Sequence, residues 1–264
     1  MAERKPVTVL FIADIVGKSG LDLVAGLLPG LKKSHQVDVC IANGENMDAG
    51  NGLTESLAKQ LFSLGVDVIT GGNHTWSNSA FRHYLDTSPR VLRPLNYPSE
   101  APGRGSTVIQ TDTQVAVGIL NAQGRTFMYP IDCPFKRCSE EVARLREKTK
   151  VLIIDLHAEA TAEKQALAWH LDGQVSAVIG THTHVQTADE RILPLGTAYI
   201  TDAGMTGPFD SVIGMDTQVA LKRFIRQIPE KYRPATSNNR LNGVLLQIDD
   251  ASGRAIKINR VNLP

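Results

Sequence analysis

Val7-Thr8-Val9-Leu10-Phe11-Ile12-Ala13-Asp14 is a β-branched, apolar run that stops at a carboxylate. A strand covered on both faces needs such an unbroken apolar stretch. Two further runs of this kind follow. Val37-Asp38-Val39-Cys40-Ile41-Ala42 reads as a second strand and Val66-Asp67-Val68-Ile69-Thr70 as a third. Between and after them lie helix-like patterns: Leu21–Lys33, with Pro29-Gly30 as an expected break, Thr54–Leu64 with Thr54 as its cap, and Asn78–Leu85. Strands alternating with helices predict a mostly parallel sheet with helices on its faces.

The middle of the chain is less regular. Pro94, Pro98, Pro102, Gly103 and Gly105 punctuate a loop region, and Thr107–Leu120 then reads as a hairpin turning near Asp112-Thr113. A charged helix is expected over Lys136–Lys148 and another helix over Ala162–Leu171. Val151–Leu156 and Val175–Ile179 read as two more buried strands. Gly243–Ile248 and Ala255–Val261 alternate around Asp249-Asp250-Ala251-Ser252-Gly253, a hairpin signature. With no internal repeat, residues 1–264 are expected to form one α/β domain built around two sheets.

Of the 264 residues 42% are hydrophobic, enough for a full core, and only 5% are aromatic, so that core should be Val, Ile, Leu and Ala. Lys and Arg (28) nearly cancel Asp and Glu (27), which argues against broad nucleic-acid binding through a basic face. Cys40, Cys133 and Cys138 are an odd, sparse set, read as free thiols in a reducing compartment. Cys133 and Cys138 alone make a poor zinc site. The apolar run at Val7 is too short for a secretion signal and no stretch approaches a membrane span. A cytoplasmic protein without a membrane anchor is the expectation.

Five segments place metal-binding side chains just after apolar runs: Asp14; Glu45-Asn46; Asn73-His74; Asp155-Leu156-His157; and His182-Thr183-His184. In open α/β sheets ligands bind beyond the carboxyl ends of the strands, so residues scattered in sequence can converge there. Carboxylate, amide oxygen and imidazole in this number can hold two divalent ions, an arrangement suited to cleaving phosphate esters. Glu45 has two oxygens and can bridge two cations, and Asn46 adds a neutral one. Gly71-Gly72 before Asn73 allows close backbone approach. His182 and His184 are two apart, so an extended backbone would point both rings to one side. Asp155 and Asp189 could orient imidazoles, and Arg93, Arg125 and Arg191 could assist phosphate binding.

Each segment also has an ordinary reading. Asp14 before Gly17 suits a turn or helix cap, Gly44-Glu45-Asn46 a polar loop, and Asn73-His74 a turn with a surface histidine. His157 could be a hydrogen-bonded core residue. His35, His83 and His170 lie outside the set.

The residues resemble those of the calcineurin-like metallophosphoesterase superfamily through Gly72-Asn73-His74, the lone His157 and Gly180-Thr181-His182-Thr183-His184. They depart from its usual pattern at Asp14-Ile15-Val16, which lacks a histidine, and at Gly44-Glu45-Asn46, where Gly-Asp is usual. Those departures, with Phe11–Gly17, Ile69–Trp76, Asp155–Thr161 and Gly180–Gly207, resemble the YmdB-like bacterial phosphodiesterases related to 2′,3′-cyclic nucleotide hydrolases. The resemblance implies a two-sheet sandwich flanked by helices. It implies one ion on Asp14, Glu45, Asn46 and His184, a second on Glu45, Asn73, His157 and His182, and His74 as catalytic acid. It also implies Fe or Mn, with Zn allowed by the ligand types. The expected reaction is hydrolysis of a small phosphodiester or cyclic nucleotide, 2′,3′-cyclic foremost, by a metal-bridging hydroxide. A phosphomonoesterase or nucleotidase on the same site is the near alternative; a signalling protein that binds nucleotide or RNA without needing turnover is the distant one. RNA and a second copy of the chain stay open as partners.

Overall fold

Alternate residues of the opening strand go to different layers. Val9 and Phe11 join a buried cluster with Ile41, Val68, Ile119, Ile153, Ile179 and Leu246, whereas Leu10 and Ile12 join one with Val24, Leu28, Leu31, Ala58 and Leu61. The first cluster lies between two sheets and the second between a sheet and its helices, as the period of two in a strand requires. Each fully buried Val, Leu, Ile or Phe side chain among them contributes about 1.5–3 kcal/mol.

The computed structural model describes residues 5–264. Its first half runs β1 (Val7–Ile12), β2 (Asp14–Ile15), α1 (Gly17–His35), β3 (Val39–Asn43), α2 (Glu55–Ser63), β4 (Val68–Thr70), α3 (Phe81–Thr87), β5 (Ser106–Gln110), β6 (Ala116–Gln123) and α4 (Pro134–Arg146). The rest is β7 (Val151–His157), α5 (Thr161–His170), β8 (Ala177–Thr181), β9 (Arg191–Ile192), β10 (Ala198–Ile200), β11 (Met205–Pro208), α6 (Thr217–Arg226), β12 (Asn239–Ile248) and β13 (Ala255–Leu263). One sheet has the order β2-β11-β12-β1-β3-β4, with β13 also on β12; the other has the order β5-β6-β7-β8-β10-β9. Helices α1 and α2 cover the first sheet, while α4 and α5 cover the second through Cys138, Val142, Leu145, Leu167 and Ala168. The α/β two-sheet sandwich flanked by helices is thus the fold.

Both sheets are more mixed than strand–helix alternation suggests. β1-β3-β4 and β6-β7-β8-β10 run parallel, but β12 lies antiparallel between β1 and β13, and β5 and β9 are antiparallel edges. Crossover helices reveal only the parallel pairs, and a terminal hairpin can enter a sheet anywhere. No helix among the described residues is long and apolar enough to cross a membrane.

Thr54 caps α2 as expected, its Oγ1 accepting from Leu57 N at 3.2 Å. The expected break at Pro29-Gly30 does not occur: α1 continues through both to His35. Pro29 and Ala25 lie on the exposed face, so water can satisfy the Ala25 carbonyl that proline leaves without a partner. Gly26 and Gly30 share that face, and a Cβ on either meets nothing within 4 Å. Gly26→Ala and Gly30→Ala should therefore each add about 1 kcal/mol of stability. Thermal unfolding should register each as a rise of roughly 2–4 °C in Tm.

Candidate metal centre

Every expected donor segment lies at the same end of the sandwich. Asp14 begins β2, Glu45 and Asn46 follow β3, Asn73 and His74 follow β4, His157 closes β7, and His182 and His184 follow β8. Parallel pairing of β1 with β3, β3 with β4, and β7 with β8 aligns these strand ends. The two sheets then bring the ends face to face. Asp14, Glu45, Asn46 and His157 are buried, and the other donors are partly so.

The donors meet around the Nε2 atom of His157. Glu45 Oε1, Asn73 Oδ1 and His182 Nδ1 each lie 3.0 Å from it. One ring nitrogen can make one hydrogen bond, so three partners at equal distance suit a shared cation better than a hydrogen bond. Glu45, His157 and His182 offer ligand atoms within 4.8 Å of one another. On the other side, His184 Nε2 lies 3.2 Å from Asn46 Nδ2 and 3.9 Å from Asp14 Oδ1. Asp14 Oδ1 is buried with no hydrogen-bond partner. A carboxylate oxygen desolvated at that cost suits an ion. Gly72 is needed for the convergence, because a Cβ there would overlap Glu45 Oε2 and the His157 ring.

All three inward imidazoles have a partner on the opposite ring nitrogen. Thr181 Oγ1 donates to Asp155 Oδ1 at 2.7 Å, so it accepts from His157 Nδ1 at 3.0 Å. His184 Nδ1 donates to the Ile213 carbonyl at 2.8 Å, and His182 Nε2 lies 3.3 Å from Glu159 Oε2. The His157 and His184 contacts place a proton on the outer nitrogen and leave the inner one to take a cation in place of a proton, and Glu159 lies on the side that favours the same tautomer of His182. Thr181→Val, which keeps the shape but loses the hydroxyl, should weaken metal affinity about 10–100-fold. Calorimetric titration with Mn²⁺ would measure it; unchanged affinity would show that Thr181 does not orient His157.

Electrostatics agree with the donor geometry. Burial opposes charge on His157, but the Glu45 charge and hydrogen bond, then Asp14 and Asp155, hold the imidazolium up to about 9. Burial alone would raise Glu45; the charge and hydrogen bond of His157, then His74, hold it down to about 2. Burial, then the His157 charge, pushes His182 down to about 3. Burial also drives Asp14 well above the carboxylate range. Burial thus prevails at His182 and Asp14, and only the Glu45–His157 pair holds opposite charges against it.

Several expectations need correction. His182 and His184 do not extend a strand: β8 stops at Thr181, and their φ angles are 99° and 65°. Asp202 bends the chain there, taking the Thr183 N–H and hydroxyl at 3.0 and 2.8 Å while buried Lys164 Nζ holds it at 2.8 Å. Asp189 meets Thr187 and Thr201 rather than an imidazole, so it fastens the loop to β10. Asp155 reaches His157 only through Thr181. Asn46 turns its amide nitrogen toward Glu45 and His184, and its oxygen lies 2.8 Å from His74 Nδ1. Ligation through that oxygen requires the amide turned over. Arg93 donates to the Pro94 carbonyl and Arg191 lies over the Trp169 ring, both engaged elsewhere. Thr181, Glu159 and the Ile213 carbonyl were not anticipated; Thr181 and Glu159 lie inside the motifs, whereas a carbonyl leaves no mark in sequence.

A family model described as YmdB-like protein matches residues 10–261. The chain is 46% identical over 253 residues to a Bacillus subtilis (strain 168) protein named 2′,3′-cyclic-nucleotide 2′-phosphodiesterase, with 96% of each covered. A crystal structure of a hypothetical protein from Thermus thermophilus superposes with a TM-score of 0.91 at 38% identity, covering 98% of this chain and 100% of that one. A Mycoplasma pneumoniae structure described as a novel phosphatase has a TM-score of 0.91 at 34% identity, covering 98% and 93%.

Proposed function

The chain belongs to the YmdB-like family, and from that premise we propose that it is a phosphodiesterase opening 2′,3′-cyclic nucleotides with two divalent cations and His74 as acid. The observation that carries the reading is the set of inward ring nitrogens of His157, His182 and His184, grouped with the buried carboxylates of Asp14 and Glu45. Asp14, Glu45, Asn46 and His184 would hold one cation; Glu45, Asn73, His157 and His182 would hold the other. The donors are oxygen and imidazole nitrogen, which suit Fe, Mn or Zn. Fe or Mn is the favoured pair. When bound, such ions supply a nucleophile from water at neutral pH and neutralise phosphate charge.

The remaining steps belong to the protein. Glu45 accepts the His74 backbone N–H at 3.0 Å, fixing the start of the Asn73-His74 turn against the site. The His74 side chain is 38% exposed, so its ring is open to a substrate. Turned over so that its oxygen faces the cation, the Asn46 amide would donate to His74 Nδ1 across the 2.8 Å contact, leaving Nε2 to hold the proton given up in the reaction. Water oxygen adds to phosphorus, the P–O2′ bond breaks, and the His74 proton passes to O2′. The phosphate stays on O3′. This choice of bond follows the name of the Bacillus relative.

The Mycoplasma structure described as a phosphatase favours a second reading, monoester hydrolysis on the same residues. Metal-loaded protein should be assayed on 2′,3′- and 3′,5′-cyclic nucleotides and on bis- and mono-p-nitrophenyl phosphate. The 2′,3′-cyclic substrates should give the highest kcat/KM. Faster turnover of the monoester would replace the phosphodiesterase reading with the phosphatase one.

A further inference from the structure

Phe127 and Tyr129 are large aromatic side chains that the fold leaves 89% and 69% exposed, beside the candidate metal centre. They line a cavity of about 350 Å³ together with Met128, Pro130, Asn73 and His182. Two members of the donor set therefore share one hollow with two unburied rings.

The loop that carries the rings is anchored at both ends. Gly124 N donates to the His157 carbonyl at 3.0 Å, and Glu163 accepts the N–H groups of Arg125 and Thr126 at 3.0 and 3.1 Å. Beyond the rings, Ile131 N bonds the Tyr129 carbonyl at 2.9 Å and Asp132 N the Asn96 carbonyl at 3.1 Å. Phe127 itself has φ of 61°, a left-handed conformation that bulky residues rarely adopt. An anchored loop holds an apolar ring in water, in an unfavourable backbone conformation, at the edge of the site. That combination points to a flat, apolar ligand group.

We propose that Phe127 and Tyr129 form a stacking platform for the nucleobase of the substrate, on the Asn73 and His182 side of the centre. The inference rests on the cyclic-nucleotide reading above. In a 2′,3′-cyclic nucleotide the base is carried by C1′, next to the esterified C2′, so a phosphate at the centre places the base one ribose away. Tyr97 continues the aromatic rim: it is half-buried, its ring centroid is 4.4 Å from that of Trp76, and its hydroxyl donates to Gln123 Oε1 at 3.1 Å. Stacking accepts any base, since every base offers a π face, so the platform discriminates for the presence of a base rather than its identity.

The test compares binding of adenosine 3′-monophosphate with that of methyl riboside 3-phosphate to the metal-loaded, full-length protein by calorimetry. Wild type should prefer the nucleotide about tenfold. Phe127→Ala and Tyr129→Ala should each bring that ratio toward one, and Phe127→Trp should keep it. Steady-state kinetics on the matching 2′,3′-cyclic phosphates, with and without a base, should show the same change in KM. No base preference in wild type, a preference that survives both alanine variants, or a change only in oligomeric state would overturn the platform. Equal weakening of both ligands would overturn it too, marking the loop as a support for the site. Hydrolysis without base preference would refute the platform and leave the proposed function standing. Base-dependent binding without hydrolysis would do the reverse.

Discussion

His74→Asn lowers kcat on a 2′,3′-cyclic nucleotide by about 10²–10⁴-fold while leaving the metal content unchanged. The alkoxide leaving from ribose is strongly basic and needs a proton as the P–O bond breaks. p-Nitrophenolate leaves unaided, so bis-p-nitrophenyl phosphate should lose far less activity. The structure supports this split because the His74 ring meets the Asn46 amide and the exposed face of the site, whereas the hydrogen bond Glu45 accepts comes from the His74 backbone, which the substitution preserves. Steady-state kinetics on both substrates, with metal analysis of the same preparations, would check it. Equal losses on the two substrates would remove His74 from the role of acid.

Glu45→Gln should instead abolish turnover of both substrates alike, by more than about 100-fold, and reduce the bound metal. Losing a residue that only orients a ligand already costs about 10–100-fold, and Glu45 would be shared by both ions. The same substitution has a pH signature in chelator-treated protein. Glu45 is held down to about 2 from 4.5, so its contribution is complete above pH 4.5 and fades as pH falls toward 2. His157 is held up to about 9 from 6.5, so its contribution is complete below pH 6.5 and fades as pH rises through 9. The pair therefore stabilises fully between pH 4.5 and 6.5. Metal-free wild type should lose Tm between pH 6.5 and 9, and Glu45→Gln, lacking the charge that most raises His157, should lose less. Thermal scans of both proteins across that range would decide it.

The buried strands were legible because strands covered on both faces are unbroken apolar runs: Val7–Ile12, Val151–His157 and Ala177–Thr181 each carry one. The short strands Asp14–Ile15, Arg191–Ile192 and Met205–Pro208 were not, since two to four residues show no periodicity. Helix α6, Thr217–Arg226, was also missed, although Asp216 caps it by accepting from Gln218 N and Val219 N. Its Leu221, Phe224 and Ile225 recur at helical spacing, so the sequence did carry the helix, and only the tertiary structure leaves that stripe exposed.

From the chain alone came the inventory: which donors exist, that they follow strands, and that their chemistry suits divalent cations and phosphate esters. Side-chain type is local, and so is the apolar run that precedes it. Tertiary structure alone decided which nitrogen of each imidazole faces inward, that His182 and His184 approach from left-handed positions, and that Phe127 and Tyr129 stand at the rim. Those outcomes depend on Thr181, Glu159, Asp202, Glu163 and the Ile213 carbonyl, partners that only packing brings into reach.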